Sequence, residues 1–353
     1  MPQTTGAVRC PGRVNLIGEH IDYHGLPVLP IAIQLGVTVT YRLRADWRIE
    51  ARSANFGRRA FDWSVELQRV ADGDWENYIR AAARVVDTLA PDCNGIDAEI
   101  TSDLPPAAGL SSSSALLIAV TLAILGANNR AATFEQLMDV LPDGEQFVGT
   151  RGGGMDHAAC LASRAGCASL IEFNPMSVTP IPIPRDWVFL IADSMQAAEK
   201  SGPARDEYNA RRAAGVEALK TLHLTSYREA KVEDAETLTE HQRDPFLHVV
   251  TEAQRVRAAV DALRADDPVA FGRLMTESHD SLRTRLRVST PKLDALVASA
   301  LDAGAYGARL TGAGFGGSAV ILSNRRSLPG LRTLVVEPSS GVGAGLPAGT
   351  RRA

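Results

Sequence analysis

The chain has 353 residues, of which 45% are hydrophobic and 22% charged, an ordinary balance for a soluble globular protein with room for two domains and sizeable cores. With 37 basic residues against 41 acidic ones, the net charge of −4 gives no support to a general nucleic-acid or anionic-membrane binder. No basic stretch followed by an apolar core opens the chain, so no signal peptide is expected.

A short apolar strand (Val14, Leu16, Ile17) is expected to end at Gly18, followed by the polar cluster Glu19, His20 and Asp22. Beside the lone Arg13, this cluster suits a ligand with several hydroxyls: carboxylates accept hydrogen bonds from hydroxyls, and an imidazole can donate or accept. A solvated turn with ordinary surface charge is the plain alternative. Leu35 to Arg44 and Trp47 to Ala51 alternate as strands. Trp75 to Leu89 is helix-like, with Tyr78, Ala82, Val85, Val86 and Leu89 on one side.

Gly95 to Thr101 alternates like a strand and leads, through Leu104 to Ser114, into the apolar run Ala115 to Ala127. That run is too short to span a bilayer. The order is strand, glycine-and-serine loop, apolar helix. Small loop residues let backbone N–H groups approach a phosphate, and the helix N-terminus adds partial positive charge. Serine hydroxyls suit phosphate oxygens or a magnesium ion. The Walker pattern ending in Gly-Lys-Ser/Thr is absent, and an ordinary helix start with a serine N-cap stays open.

A helix is expected from Glu145 or Gln146 towards Ser163, broken near the glycines, and a strand from Ala168 to Phe173, closed by Asn174-Pro175. The proline-rich piece from Pro175 to Pro184 is the best boundary candidate. Beyond it come a buried strand at Trp187 to Ala192 and helices over Ala204 to Leu222, Phe246 to Leu263, Val269 to Arg283 and Pro291 to Ala303. Strands return at Val320 to Leu322 and Leu331 to Val336. Within Leu310 to Leu322, four glycines (Gly312, Gly314, Gly316, Gly317) predict a tight turn before a buried strand. The G-x-G-x-x-G spacing is present, but a strand follows instead of a helix, so the dinucleotide fingerprint lacks its context. The turn reads as one packed against the phosphate loop, or as a hairpin corner. The glycine-rich tail from Gly341 to Ala353 is expected to fray. The pattern is α+β in two halves, residues 1–180 and 181–353, the second carrying the glycine-rich motif 310–322. A small ligand belongs in the cleft between them.

These three stretches, in this order, resemble the three motifs of the superfamily of galactokinase, homoserine kinase, mevalonate kinase and phosphomevalonate kinase. Gly12-Arg13-Val14-Asn15-Leu16-Ile17-Gly18-Glu19-His20, then Asp22-Tyr23, resembles the galactokinase family in particular. Asp74 to Tyr78, Gly152 to Asp156, Asp206 to Arg212 and Ser278 to Leu282 match further segments, so the likeness covers nearly the whole chain. It implies a two-domain sugar-kinase fold: an N-terminal domain like the second domain of ribosomal protein S5, a ferredoxin-like C-terminal domain, and the active site in the cleft. It also implies ATP- and Mg2+-dependent phosphorylation of the anomeric hydroxyl of D-galactose, giving galactose 1-phosphate and ADP. The enzyme would be cytoplasmic, a monomer or weak homo-oligomer. Its partners would be a small-molecule sugar and ATP, with no nucleic acid and no membrane.

By the same resemblance, Asp156 takes or orients the proton of the sugar hydroxyl, which requires hydrogen-bond reach. Arg13 is its partner; a guanidinium keeps a neighbouring carboxylate ionised and offsets charge on the transferring group. Glu19, His20, Asp22 and Tyr208 match sugar-contacting positions, and Gly153 a backbone contact. Gly109, Leu110, Ser111, Ser112, Ser113 and Ser114 match the loop that holds the triphosphate. Trp75 and Tyr78 match positions beside the adenine, although Trp and Tyr at i, i+3 also read as core packing. Ser113, by its match to the third serine of the family motif, is placed on magnesium. Without the resemblance, Asp156 reads equally as a helix-capping acid, and His279 as a structural histidine.

Some positions depart from the family pattern. Where an acid commonly sits three residues before Phe147 the chain has Gly144, flanked by Asp143 and Glu145; by the resemblance, Glu145 is the candidate for the second magnesium ligand after a one-residue shift. His157 follows Asp156 where glutamine is usual, His24 follows Tyr23 where asparagine is usual, and Ala107-Ala108 replaces a more glycine-rich approach to Gly109. Kinases of N-acetylgalactosamine (which Gly152 to Asp156 also resembles), arabinose or a uronic acid remain alternatives, as does a non-catalytic sugar sensor. A mevalonate-type kinase is disfavoured by the polyol-suited Glu19-His20 and Asp22-Tyr23. Cys10, Cys93, Cys160 and Cys167 form no CxxC pair or metal spacing and read as reduced, mostly buried residues of a cytosolic protein.

Overall fold

Alternating strands in the first hundred residues assemble into one sheet in the computed structural model, which describes residues 4–64, 66–105, 108–149, 152–196 and 203–345. Strands β1 (Thr5–Asn15), β2 (Pro30–Leu43), β3 (Arg48–Ser53), β4 (Gly57–Asp62) and β5 (Ile96–Ser102) lie in the order β1-β2-β5-β3-β4. All pairs are antiparallel except β3–β5. Helix α1 (Glu76–Leu89) and helix α2 (Ser112–Ala127) pack together. α2 carries apolar residues on every side and sits against β1, β2 and α1, as a fully enclosed helix must.

Helix α3 runs Phe134–Val148 and helix α4 Met155–Ala162, so the helix expected from Glu145 or Gln146 to Ser163 is two helices. The first begins a dozen residues earlier, at a capping box in which Thr133 accepts from Gln136 N and Gln136 reaches back to Thr133 N. Gly149 (φ 113°) and Gly154 (φ 98°) take left-handed conformations on either side of the break.

The proline-rich stretch is a strand as well as a connection. β6 (Cys167–Glu172) pairs antiparallel with β7 (Ser177–Pro182), so Pro180 lies inside a strand. A two-stranded ribbon has free edges, where proline's missing N–H is tolerated. The second half holds a four-stranded antiparallel sheet, with strands β8 (Val188–Asp193), β9 (Gly307–Thr311), β10 (Ser318–Ser323) and β11 (Thr333–Val336) in the order β11-β8-β10-β9. Between β8 and β9 come helices α5 (Pro203–Thr221), α6 (Glu240–Arg264), α7 (Pro268–Ser281) and α8 (Pro291–Asp302). The largest core cluster runs from β1 and α2 through α4 to Phe246, Val256 and Phe271 of α6 and α7, so one continuous apolar body backs both sides of the cleft. The tail expected to fray lies, from residue 346 onward, outside the described residues.

Candidate active site

The serine loop meets the first motif through a glycine. A Cβ at Gly12 would stand 2.7 Å from the Leu110 carbonyl oxygen, so only a bare backbone lets β1 approach the loop this closely. Arg13 N then donates to Leu110 O at 3.1 Å. The buried Arg13 side chain donates from Nε to Asp156 Oδ1 at 2.6 Å and from Nη1 to Gly109 O at 2.8 Å. Burial works against the Arg13 charge, but Asp156 and Glu19 outweigh it and hold the guanidinium above its ordinary value.

Ser111, at φ 57°, does not cap α2. Its Oγ donates instead to Asp156 Oδ2 at 2.5 Å. Asp156 likewise makes no cap on α4; it stands in that helix's first turn with both oxygens engaged by Arg13 and Ser111. Ser111 thus occupies the N-cap position of α2 without a side-chain capping bond, its hydroxyl being engaged with Asp156. The N-terminal ends of α2 and α4 meet at this pair, and two helix ends of partial positive charge favour a phosphate there.

The glycine turn closes the other side. A Cβ on Gly312 would lie 3.2 Å from Gly109 O, and one on Gly109 only 3.0 Å from Thr311 O. The turn is thus both a β9–β10 hairpin connection and a lid packed on the serine loop. Glu19 ties it to the first motif, its Oε1 accepting from Gly312 N at 2.6 Å and from Thr311 Oγ1 at 3.3 Å. His20 Nε2 donates to Ala313 O at 3.1 Å and its Nδ1 accepts from the Tyr23 hydroxyl at 2.9 Å. Burial, and then His248, lower His20 to about 3, so the ring is neutral. Both ring nitrogens make hydrogen bonds within the protein, so His20 ties the first motif to the glycine turn.

Asp22 faces Gly153, whose N–H donates to Oδ2 at 3.1 Å. A Cβ at Gly153 would fall 2.3 Å from Asp22 C and Tyr23 N, so the approach requires glycine. Burial, then the nearby charge of Asp156, raises the Asp22 carboxyl to about 6. His24 packs its ring 4.7 Å from those of Tyr23 and Tyr227, and Arg212 of α5 lies 5.7 Å from the Tyr23 ring centre. Tyr208 lies on α5; its side chain is outside the described residues.

A second polar group forms around α3. A Cβ on Gly144 would enter the core against Val85 and Leu117, at 3.0 and 3.2 Å, whereas Glu145 turns to the serine loop. Ser114 Oγ donates to Glu145 Oε1 at 2.5 Å. Burial, and then the charge of Glu145, raise the Tyr78 hydroxyl, with Ser113 acting the other way. Its hydroxyl thus lies towards the serine loop. Trp75 donates from Nε1 to Phe56 O at 3.0 Å, with Arg59 over its ring. Gly109 and Leu110 contribute carbonyls to Arg13, and Ser112 is half-buried in the first turn of α2. No cluster of three His, Cys, Asp or Glu side chains fit to hold a metal is present among the described residues.

Several supporting residues escape sequence reading. His248 Nε2 donates to Glu19 O at 3.0 Å, while Glu252 Oε1 accepts from Gly18 N at 2.9 Å and from Ser278 Oγ at 2.6 Å. Burial alone would raise Glu252, but Arg255, His248 and Arg309 hold it at about 2. The available signal is His248 and Glu252 at i, i+4 on the apolar face of α6, between Phe246 and Val256. His279 is structural: Leu310 N donates to its Nδ1 at 3.3 Å, and its Nε2 faces Asp294 at 3.1 Å.

The galactokinase galactose-binding signature matches residues 2–43, the GHMP kinase N-terminal domain residues 77–164, and the GHMP kinase C-terminal domain residues 259–330. A galactokinase of Chloroflexus aurantiacus is 39% identical over 333 residues, 90% of this chain and 84% of its own length. One from Glaesserella parasuis is 34% identical over 346 residues, covering 94% and 88%. The crystal structure of Lactococcus lactis galactokinase complexed with galactose superposes with a TM-score of 0.87 at 28% identity, covering 96% of this chain and 94% of that one. A Methanococcus jannaschii mevalonate kinase shares the fold at a TM-score of 0.66 and 19% identity, covering 96% and 99%.

Proposed function

The chain belongs to the galactokinase family, and from that premise we propose how its residues carry the reaction. It is an ATP-dependent sugar kinase that phosphorylates D-galactose, with the anomeric hydroxyl as acceptor and ADP and galactose 1-phosphate as products. Phosphoryl transfer is chiefly positioning and charge stabilisation. The observation that carries the assignment of roles is Asp156 gripped by Arg13 at 2.6 Å and Ser111 at 2.5 Å, at the meeting of two helix N-termini. Asp156 is the carboxylate that accepts or orients the proton of the sugar hydroxyl. Arg13 keeps it ionised and offsets charge on the transferring group.

The loop from Gly109 to Ser114 holds the triphosphate, its backbone N–H groups and the α2 N-terminus facing the phosphates. Trp75 and Phe56 border the nucleotide's base, with Tyr78 at the phosphate end. Asp22, Glu19, the Gly153 N–H and Tyr208 form the sugar wall, with His20 and His248 as braces. The donor set fits Mg2+, which takes oxygen ligands and is usually held by one or two carboxylates together with substrate phosphates. Ser113 supplies a hydroxyl, and Glu145 Oε2 has no hydrogen-bond partner among the described residues. A magnesium ion held by these residues would supply charge neutralisation for the phosphates.

No helix among the described residues is long and apolar enough to cross a membrane. The four cysteines are free, which supports a cytoplasmic enzyme. We keep the domain division near 180/181, with the β7–β8 connection at 183–187 following it. A panel of sugars in an ADP-release assay tests the substrate: galactose should give the highest kcat/KM, above N-acetylgalactosamine, arabinose and galacturonate. Turnover of one of those with none of galactose would overturn it.

A further inference from the structure

His157 follows Asp156 on α4, so its side chain leaves the helix about 100° around from the carboxylate that holds Arg13. It is buried, and neither ring nitrogen has a hydrogen-bond partner among the described residues. A buried polar group without a partner is costly, so mere filling of space would favour an apolar side chain here. What the ring faces is charged: Nε2 lies 3.5 Å from Glu145 Oε1. That same oxygen receives the Ser114 hydroxyl at 2.5 Å. Beside the other carboxylate oxygen lies Gly152, where a Cβ would stand 2.9 Å from Glu145 Oε2. The Ser114 hydroxyl thus holds Oε1 with the His157 ring 3.5 Å away, a glycine lies beside Oε2, and Oε2 has no hydrogen bond among the described residues. Ser113 precedes Ser114 in the first turn of α2, so Glu145 and Ser113 stand at the same helix end.

We propose that His157 is a positioning residue for the nucleotide-bound magnesium: with Ser114 it grips Glu145 Oε1, fixing the carboxylate so that Oε2 is presented to the cation. The inference rests on the assignment of Glu145 as a magnesium ligand. Groups that orient a metal's ligands, rather than touching the metal, typically contribute 10–100-fold to its affinity. Removing the imidazole frees the carboxylate to rotate about its last bond, while the sugar wall and the Arg13–Asp156 pair are left in place.

The test uses the full-length protein with ADP and measures Mn2+ binding by electron paramagnetic resonance, alongside the Mg2+ dependence of turnover. His157→Leu should weaken Mn2+ binding about tenfold or more and raise the Mg2+ concentration for half-maximal rate, with kcat at saturating Mg2+ and galactose binding within about threefold of wild type. His157→Gln, whose amide can donate to Oε1, should recover most of the loss. Ser114→Ala should also weaken Mn2+ binding, and serves if His157→Leu does not fold. Wild-type Mn2+ binding in both His157→Leu and Ser114→Ala, with a clear loss in Glu145→Gln, would overturn the positioning role and leave Glu145 as a ligand. Unchanged binding in Glu145→Gln would remove the ligand assignment itself, and the inference with it.

Discussion

At Asp22 the fold holds a charge against its own stability. Burial, and secondarily the charge of Asp156, raises this carboxyl from 3.8 to about 6, against the opposing hydrogen bonds from the N–H groups of Tyr23 and Gly153. The folded chain thus binds the Asp22 proton more tightly than the unfolded one. The cost of ionising it is absent below 3.8, grows as the pH rises towards about 6, and is full above that. A displacement of this size corresponds to roughly 3 kcal/mol at most. Asp22→Asn removes the charge and keeps an oxygen to accept from Gly153 N. We expect it to stabilise the protein by about 1–3 kcal/mol at pH 8, and by roughly half as much at pH 5. The same change should weaken galactose binding by about tenfold or more, because a sugar hydroxyl donates more strongly to a carboxylate than to an amide. Urea unfolding of the variant and wild type at both pH values, with calorimetric titration of galactose, measures each quantity. A variant no more stable than wild type at pH 8, or a gain independent of pH, would refute the reasoning.

Arg13→Lys should lower kcat by about 10²–10³-fold, because one ammonium cannot reproduce both the Nε contact to Asp156 and the Nη1 contact to Gly109 O; steady-state kinetics with near wild-type rates would contradict this. Gly153→Ala, whose new Cβ would sit 2.3 Å from Asp22 backbone, should destabilise by about 2 kcal/mol or more and abolish measurable galactose binding, read by thermal melting with and without galactose.

Local patterns with an unambiguous period were legible: β5, the serine loop and α2 follow one another as their alternation, glycines and apolar run indicate. The misses have physical causes. Pro142 and Gly144 mask α3, whose start at the Thr133–Gln136 capping box is nonetheless a readable signal. β9 is buried at every position and includes Arg309, so neither alternation nor composition marks it. β7 hides behind its prolines. In the site, Arg13, Asp22, Gly153 and Asp156 could be found from short motifs. Their partners could not, because Glu252 meets Gly18, and His248 meets Glu19, across more than two hundred residues. Only the folded chain shows that Gly144 faces the core and that Glu145, Ser114 and His157 stand together.

The central claim is that Asp156, held between Arg13 and Ser111, serves the sugar hydroxyl in phosphoryl transfer. Its most direct test is Asp156→Asn, with single-turnover phosphorylation of galactose and calorimetric galactose binding measured on the same preparation. The account predicts a loss of rate of about 10²–10⁴-fold or more, with galactose affinity within about threefold of wild type. A wild-type rate of phosphorylation in a variant that binds galactose normally would contradict it.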